Sequence, residues 1–191
     1  MPVLRTRVLS TPLEPLTAIS LDADPLRAPA GAVLVCLEFG HRVSGAQGEL
    51  SRLLETPDPP DEVAPGVCPV LDAAEAQLGE YFAGARRAFE VPMLTLGTEF
   101  QRRVWGELGR IPFGATISYG RLAERVGSPG GARAAGGANG ANRIAILIPC
   151  HRVIDADGAL HGYGGGLAHK RRLLEIEGAL HPAPLFEATD R

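Results

Sequence analysis

From Gly130 to Ala138 the chain reads Gly-Gly-Ala-Arg-Ala-Ala-Gly-Gly-Ala, so Arg133 is the one large side chain of the run. A helix built from these residues gives up about 1 kcal/mol for each internal glycine relative to alanine. What it gains is a smooth surface for close approach to another backbone, with Arg133 projecting alone. Tight packing against a neighbouring helix would use the small residues too, but would leave the arginine without purpose. The flanks constrain the local fold further. Ser118 can cap a short helix through Leu122, Ala123 and Val126 that Gly127 ends, and Ser128 with Pro129 opens the next, because serine suits the cap and proline the first turn. Helix, glycine turn, helix is the spacing of a helix-turn-helix, a DNA-reading arrangement.

The neighbouring sequence is written in the same helical period. Thr98 and Gln101 form a capping box, and Phe100, Val104, Trp105, Leu108 and Ile111 recur at helical spacing until Pro112 stops the helix. A last helix spans Leu167 to Glu177, with Lys170, Arg171 and Arg172 on its exposed side and Leu173, Leu174 and Ile176 toward a core. Upstream the texture changes. Ala32 to Phe39 reads as a buried strand, Val70 to Phe82 as a helix, and Thr17 to Leu21 as a weak strand, while the proline-rich Thr56 to Gly66 excludes regular structure. The expected organisation is an α/β lobe over 1–96, a mainly α domain over 97–181 and a tail over 182–191.

Charge divides at the same place. Residues 1–99 carry 7 Arg against 14 Asp and Glu, a net of −7, whereas residues 100–177 carry 11 Lys and Arg against 6 acids, a net of +5. The chain as a whole is at −3, yet its second half can bind phosphate locally; an ordinary solvated face is the plainer reading. No apolar run is long enough to span a membrane and no signal peptide is evident, so a cytoplasmic address is expected. Three widely spaced cysteines, Cys36, Cys68 and Cys150, argue against a disulfide framework and suit a reducing compartment.

Residues 148–153 read Ile-Pro-Cys-His-Arg-Val, behind an expected buried strand Ile144 to Ile148. An imidazole near a thiol lowers the cost of forming the thiolate, the species that attacks electrophiles. Adjacent side chains on a strand point to opposite faces, however, and cysteine is often a small core residue, so the pair alone leaves both readings open. Further on, Asp155 to Gly158 reads as a turn and His161 to Gly166 as a glycine-rich loop able to approach a ligand. It is not a dinucleotide loop, since no strand immediately precedes it.

Gly97-Thr98-Glu99-Phe100-Gln101, Val104-Trp105, Ile111-Pro112-Phe113-Gly114, Ser118-Tyr119, Arg133-Ala134, Asn142, Ile148 to Val153 and Gly162-Tyr163-Gly164-Gly165-Gly166 together resemble, in order and spacing, the O6-alkylguanine-DNA alkyltransferase family. The resemblance covers about Leu96 to Gly178. It implies a ribonuclease H-like α/β N-terminal lobe and a mainly α C-terminal domain with a helix-turn-helix. The implied activity is direct repair of double-stranded DNA, in which an alkyl group passes from O6 of an extruded guanine, and also from O4-alkylthymine, irreversibly to a cysteine of the protein. On that resemblance Cys150 is the acceptor, His151 deprotonates it through a water, Glu177 orients His151 and Asn142 is a hinge. Arg133 replaces the extruded base, with Ser118, Tyr119, Ala134 and Arg152 also at the DNA. Tyr119, Val153, Tyr163 and Gly164 line the base pocket. Where some members carry serine, Gly164 leaves only a backbone N–H toward the guanine oxygen, and Arg143 stands where others have proline. Some members hold zinc in the first lobe; Cys36, Cys68 and His41 lack a paired spacing, so neither metal nor cofactor is expected. A monomer is expected. Two competing readings are a lesion-binding module without chemistry, which the presence of Cys150 disfavours, and a Cys-His hydrolase, which would turn over repeatedly.

Overall fold

The structure, a computed structural model, describes residues 3–22, 31–55 and 61–180. The elements run β1 (Val3–Leu9), β2 (Leu16–Asp22), β3 (Ala32–Phe39), α1 (Val43–Leu54), β4 (Asp61–Glu62), α2 (Pro69–Phe82), α3 (Glu99–Leu108), β5 (Ile117–Ser118), α4 (Tyr119–Arg125), α5 (Ala132–Gly140), β6 (Val153–Ile154) and α6 (Leu167–Ile176). This is a mixed α/β fold. The tail 182–191 and the loop residues 56–60 lie outside the described residues, as does the side chain of His41.

Strands β1 to β4 form one sheet in the order β3-β2-β1-β4, antiparallel except for the parallel edge pair β1 and β4. Its register aligns Leu9 with Leu16 and Leu16 with Phe39, all buried, so one face is continuously apolar. Helix α2 covers that face with Val70, Leu71, Ala74, Leu78 and Tyr81, the spacing of a helical stripe. The other face buries Leu4, Ile19, Leu21, Val35 and Cys36 against Leu50 of α1. A full aliphatic burial of this kind stabilises by about 1.5 to 3 kcal/mol per side chain.

Three features of this part depart from the sequence reading. Strand β1 and helix α1 were not anticipated, and the proline-rich loop contains β4, whose Asp61 and Glu62 pair with Arg5 and Thr6. The loop is drawn to the sheet by Arg7, which is buried and donates to Val63 O at 3.3 Å, to Ala64 O at 2.8 Å and to Asp72 at 2.6 Å.

In the second half α3 begins at the expected capping box, Thr98 Oγ1 accepting from Gln101 N and the Gln101 side chain from Thr98 N. It ends at Leu108, with Ile111 buried beyond it. Ser118 caps α4 and Gly127 follows with φ of +72°, as expected. Helix α5 starts at Ala132 rather than at Ser128: Gly130 takes φ of +80°, which a helix cannot contain, and Gly131 N donates to Ser128 O in a separate turn. The indole of Trp105 on α3 donates to Ala138 O at 2.8 Å and so fastens α5 in place. A single apolar core runs from the sheet through α2 and α3 to α5 and α6. Among the described residues no helix is long and apolar enough to cross a membrane.

Candidate active site

The run Ile144 to Ile148 is a tight turn, not a strand. Only Ile144 bridges to β3, through Leu37 N to Arg143 O at 2.7 Å and Ala145 N to Leu37 O at 2.8 Å. The chain then coils back: Leu147 N donates to Ala145 O and Ile148 N to Ile144 O. Ile146 has φ of +68°, a conformation a β-branched residue adopts at a cost of order 1 to 3 kcal/mol. Its apolar residues suggest a strand because they are all buried, but they are buried inside a turn. Asn142 holds that turn closed: its Nδ2 donates to Ile148 O at 2.9 Å and Ile144 O at 3.3 Å, while Oδ1 accepts from Ile144 N at 3.0 Å.

The same amide aims Nδ2 at Cys150 Sγ, 3.2 Å away. Cys150 opens a 3-10 turn, Cys150–Arg152, and burial pushes its thiol pKa up, with Asn142 acting against that rise. The resting sulfur is therefore a protonated, buried thiol that has a donor ready for its anion. His151 is fully buried; its Nε2 lies 2.9 Å from Glu177 Oε1, and its Nδ1 has no partner among the described residues. Burial lowers the His151 pKa against the pull of Glu177, which keeps the ring neutral and able to take a proton.

Glu177, at the C-cap of α6, is the hub. Burial alone would raise its pKa, but hydrogen bonds and charges from His151 and Arg152 outweigh that and hold it at about 2. Arg152 donates from Nε at 2.7 Å and from Nη2 at 2.9 Å, and Tyr81 OH donates at 2.9 Å. Tyr81 on α2 had no signal in the sequence, because its spacing matches any core aromatic. Arg152 is a correction: it is buried, with Nη1 on Ile111 O at 2.6 Å, so its guanidinium serves Glu177 rather than DNA.

Two adjoining clefts lead toward the sulfur, which lines the inner one. The inner one, with about 10 Å³ of free space, is lined by Cys150, Asn142, Tyr163 and Gly164; the outer one, of about 610 Å³, opens between Tyr119, Arg133 and Gly136 on one side and His161 to Gly164 on the other. Arg133 and Ala134 are exposed on the first turn of α5. Tyr119 OH donates to His161 O at 3.2 Å, while Tyr163 OH is buried and without a partner among the described residues. Ser118 is occupied in the α4 cap, accepting from Arg121 N at 3.1 Å. Val153 does not line either cleft; it sits in β6, fully buried and paired with Ile117. Lys170 reverses another expectation. It is buried, its Nζ donating to His161 O at 2.6 Å and lying 3.5 Å from Tyr119 OH, and burial brings its pKa down to about 8. Its side chain turns inward to close the loop that carries Tyr163, whereas Arg171 and Arg172 are exposed. No cluster of metal-ligating side chains occurs among the described residues.

Residues 99–179 match the family described as 6-O-methylguanine DNA methyltransferase, DNA binding domain. A methylated-DNA–protein-cysteine methyltransferase of Mycobacterium tuberculosis is 44% identical over 183 residues, 96% of this chain and 98% of the relative. The crystal structure of Mycobacterium tuberculosis OGT in complex with DNA superposes with a TM-score of 0.71 at 43% identity, covering 92% of each chain. An O6-methylguanine-DNA methyltransferase from Pyrococcus kodakaraensis, at 22% identity and a TM-score of 0.59, covers 92% of this chain and 99% of its own and shares the fold. A buried Cys150 in a Pro-Cys-His-Arg turn, a Glu177-anchored histidine beside it and relatives that match the chain from end to end lead to one assignment: the chain belongs to the methylated-DNA–protein-cysteine methyltransferase family.

Proposed function

We propose that the protein reverses alkylation damage in DNA directly, taking the alkyl group from O6 of guanine, and from O4 of thymine, onto Cys150 in a single irreversible turnover. The observation that carries this reading is the Cys150 thiol, held by Asn142 in an inner cleft that adjoins the one opening beside Arg133. A guanine in a duplex hides its O6 edge, so it must be extruded at a cost of a few kcal/mol. The protein binds double-stranded DNA through α4 and α5 acting as a helix-turn-helix, with the smooth face of α5 in the minor groove and Arg133 filling the space the base leaves. The sheet with α2 corresponds to a ribonuclease H-like lobe, and the division at residues 96 and 97 separates it from the DNA-binding part.

Within the pocket Tyr119 and Tyr163 orient the base. His151, neutral and backed by Glu177, accepts the Cys150 proton through a water, and the thiolate attacks the alkyl carbon. The S–C bond forms as the C–O bond breaks, its electron pair staying with the guanine, which regains a proton. The thioether has no good leaving group, so the protein is consumed. The protein acts as a monomer, and a cytoplasmic address fits its three buried cysteines, none of them in a disulfide, which a reducing compartment preserves. The test is stoichiometric. With methylated duplex in excess, repaired strands should level off at one per protein molecule, and Cys150→Ala should bind the duplex but repair none. Repair that continues past equivalence indicates a hydrolytic reaction, and binding without repair by the unaltered protein indicates a recognition module.

A further inference from the structure

The inner and outer clefts share a wall made of Arg42, Gly140, Gly162, Tyr163 and Gly164. Since three of these are glycines, Arg42 and Tyr163 are the side chains that bound the passage from Arg133 to the sulfur. Arg42 comes from the N-terminal part of the chain, on the 3-10 turn Gly40–Arg42 that follows β3. Its guanidinium occupies the place that a side chain at position 164 would take: a Cβ built on Gly164 would fall 1.5 Å from Nη1 and 2.6 Å from Cζ. It is tethered there. Nη2 donates to Gly140 O at 3.1 Å and lies 3.5 Å from Glu38 Oε1, a carboxylate with no exposed side-chain surface that Arg143 also approaches at 3.5 Å. The free space left beside Cys150 is close to that of a single water molecule, which is also the scale of a methyl group.

We propose that Arg42 sets the size of the alkyl group that can reach Cys150, confining the acceptor pocket to methyl-sized adducts and holding out those that carry an aromatic ring. The inference rests on the alkyl-transfer reading and adds to it a substrate class and a role for the first lobe. A methyl group fits the existing space. A benzyl ring needs the volume of the guanidinium, and moving Arg42 would break its bond to Gly140 and withdraw a cation from the buried Glu38. Arg143 would remain beside Glu38, but the buried carboxylate would lose a cation, so the arginine resists displacement by substrate.

The test compares single-turnover rates of the full chain on two duplexes, one carrying O6-methylguanine and the other O6-benzylguanine. The unaltered protein should prefer the methyl adduct. Arg42→Ala should raise the benzyl-to-methyl rate ratio by about tenfold, within the discrimination that pocket size commonly gives, and Arg42→Gln, which keeps a donor for Gly140 on a shorter stem, should raise it less. A ratio unmoved in either soluble variant, even with both rates reduced, overturns the proposal, because Arg42 would then act on the thiol or on DNA alone. Melting temperatures give a second readout. Gly164→Ala should lower the melting temperature of the unaltered protein and cost clearly less in the Arg42→Ala background; equal costs in both would place the guanidinium elsewhere and overturn the proposal. An unaltered protein that alkylates on neither duplex refutes alkyl transfer itself, which separates that failure from a failure of the size filter.

Discussion

Glu177 shows how one carboxylate can govern both stability and chemistry. Its four partners, His151, Arg152, Tyr81 and the Gly114 amide, leave little of its hydrogen-bonding capacity unused. Its pKa is held at about 2, so it carries its charge in the folded protein at neutral and mildly acidic pH. A carboxylate depressed in this way stabilises the fold fully above its unfolded value and loses that contribution as pH falls through the folded one. Glu177→Gln leaves Arg152 as a buried cation without its counter-ion, a change that commonly costs about 3 to 5 kcal/mol. The melting temperature of the variant should therefore lie well below that of the parent at pH 7, and the gap should close as pH falls from about 4.5 toward about 2. Thermal melts across that range check it. A gap that stays constant to the lowest pH would mean that the charge of Glu177 is not what the network uses. Alkyl transfer at pH 7 should also slow, because His151 loses the group that holds its ring in place.

At the scale of elements, the turn from Ile144 to Ile148 replaces a strand, and Asn142 is the reason it can. A strand satisfies its backbone groups with a neighbour; here a single side chain accepts one bond and donates to two carbonyls and a sulfur. Each buried group left unpaired costs roughly 1 to 3 kcal/mol. Asn142→Ala should lower stability by about 2 to 4 kcal/mol on that basis and slow alkylation. Asn142→Asp should slow it further, since it would set a carboxylate beside the forming thiolate in place of a donor. Equilibrium denaturation and single-turnover rates measure both effects. An Asn142→Ala protein as stable and as fast as its parent would show that the turn closes without the amide.

Across the whole molecule, what the sequence made legible follows the range of the interactions involved. Capping at Thr98 and Ser118 and the stripe of α2 depend on neighbours within a helical turn, and they appear where expected. Helix α5 starts late because one glycine, Gly130, takes a left-handed conformation that composition does not announce. The grouping of Cys150, Asn142, His151 and Glu177 could be named from the resemblance. Other parts of the site depend on contacts across many residues: Tyr81 and Arg152 on Glu177, Lys170 turned inward, and Arg42 against Gly164. No local pattern marks these, so Arg152 and Lys170 read as surface cations until the fold shows them buried. The sheet and the helical half share one core, and the first lobe reaches the site through Tyr81 and Arg42. All of these contacts serve one sulfur, that of Cys150. After incubation with one equivalent of duplex containing O6-methylguanine, intact mass followed by peptide mapping should find one added methyl group per protein, on Cys150. A methyl on Cys36 or Cys68, or a protein of unchanged mass in a reaction where the guanine has been restored, would contradict it.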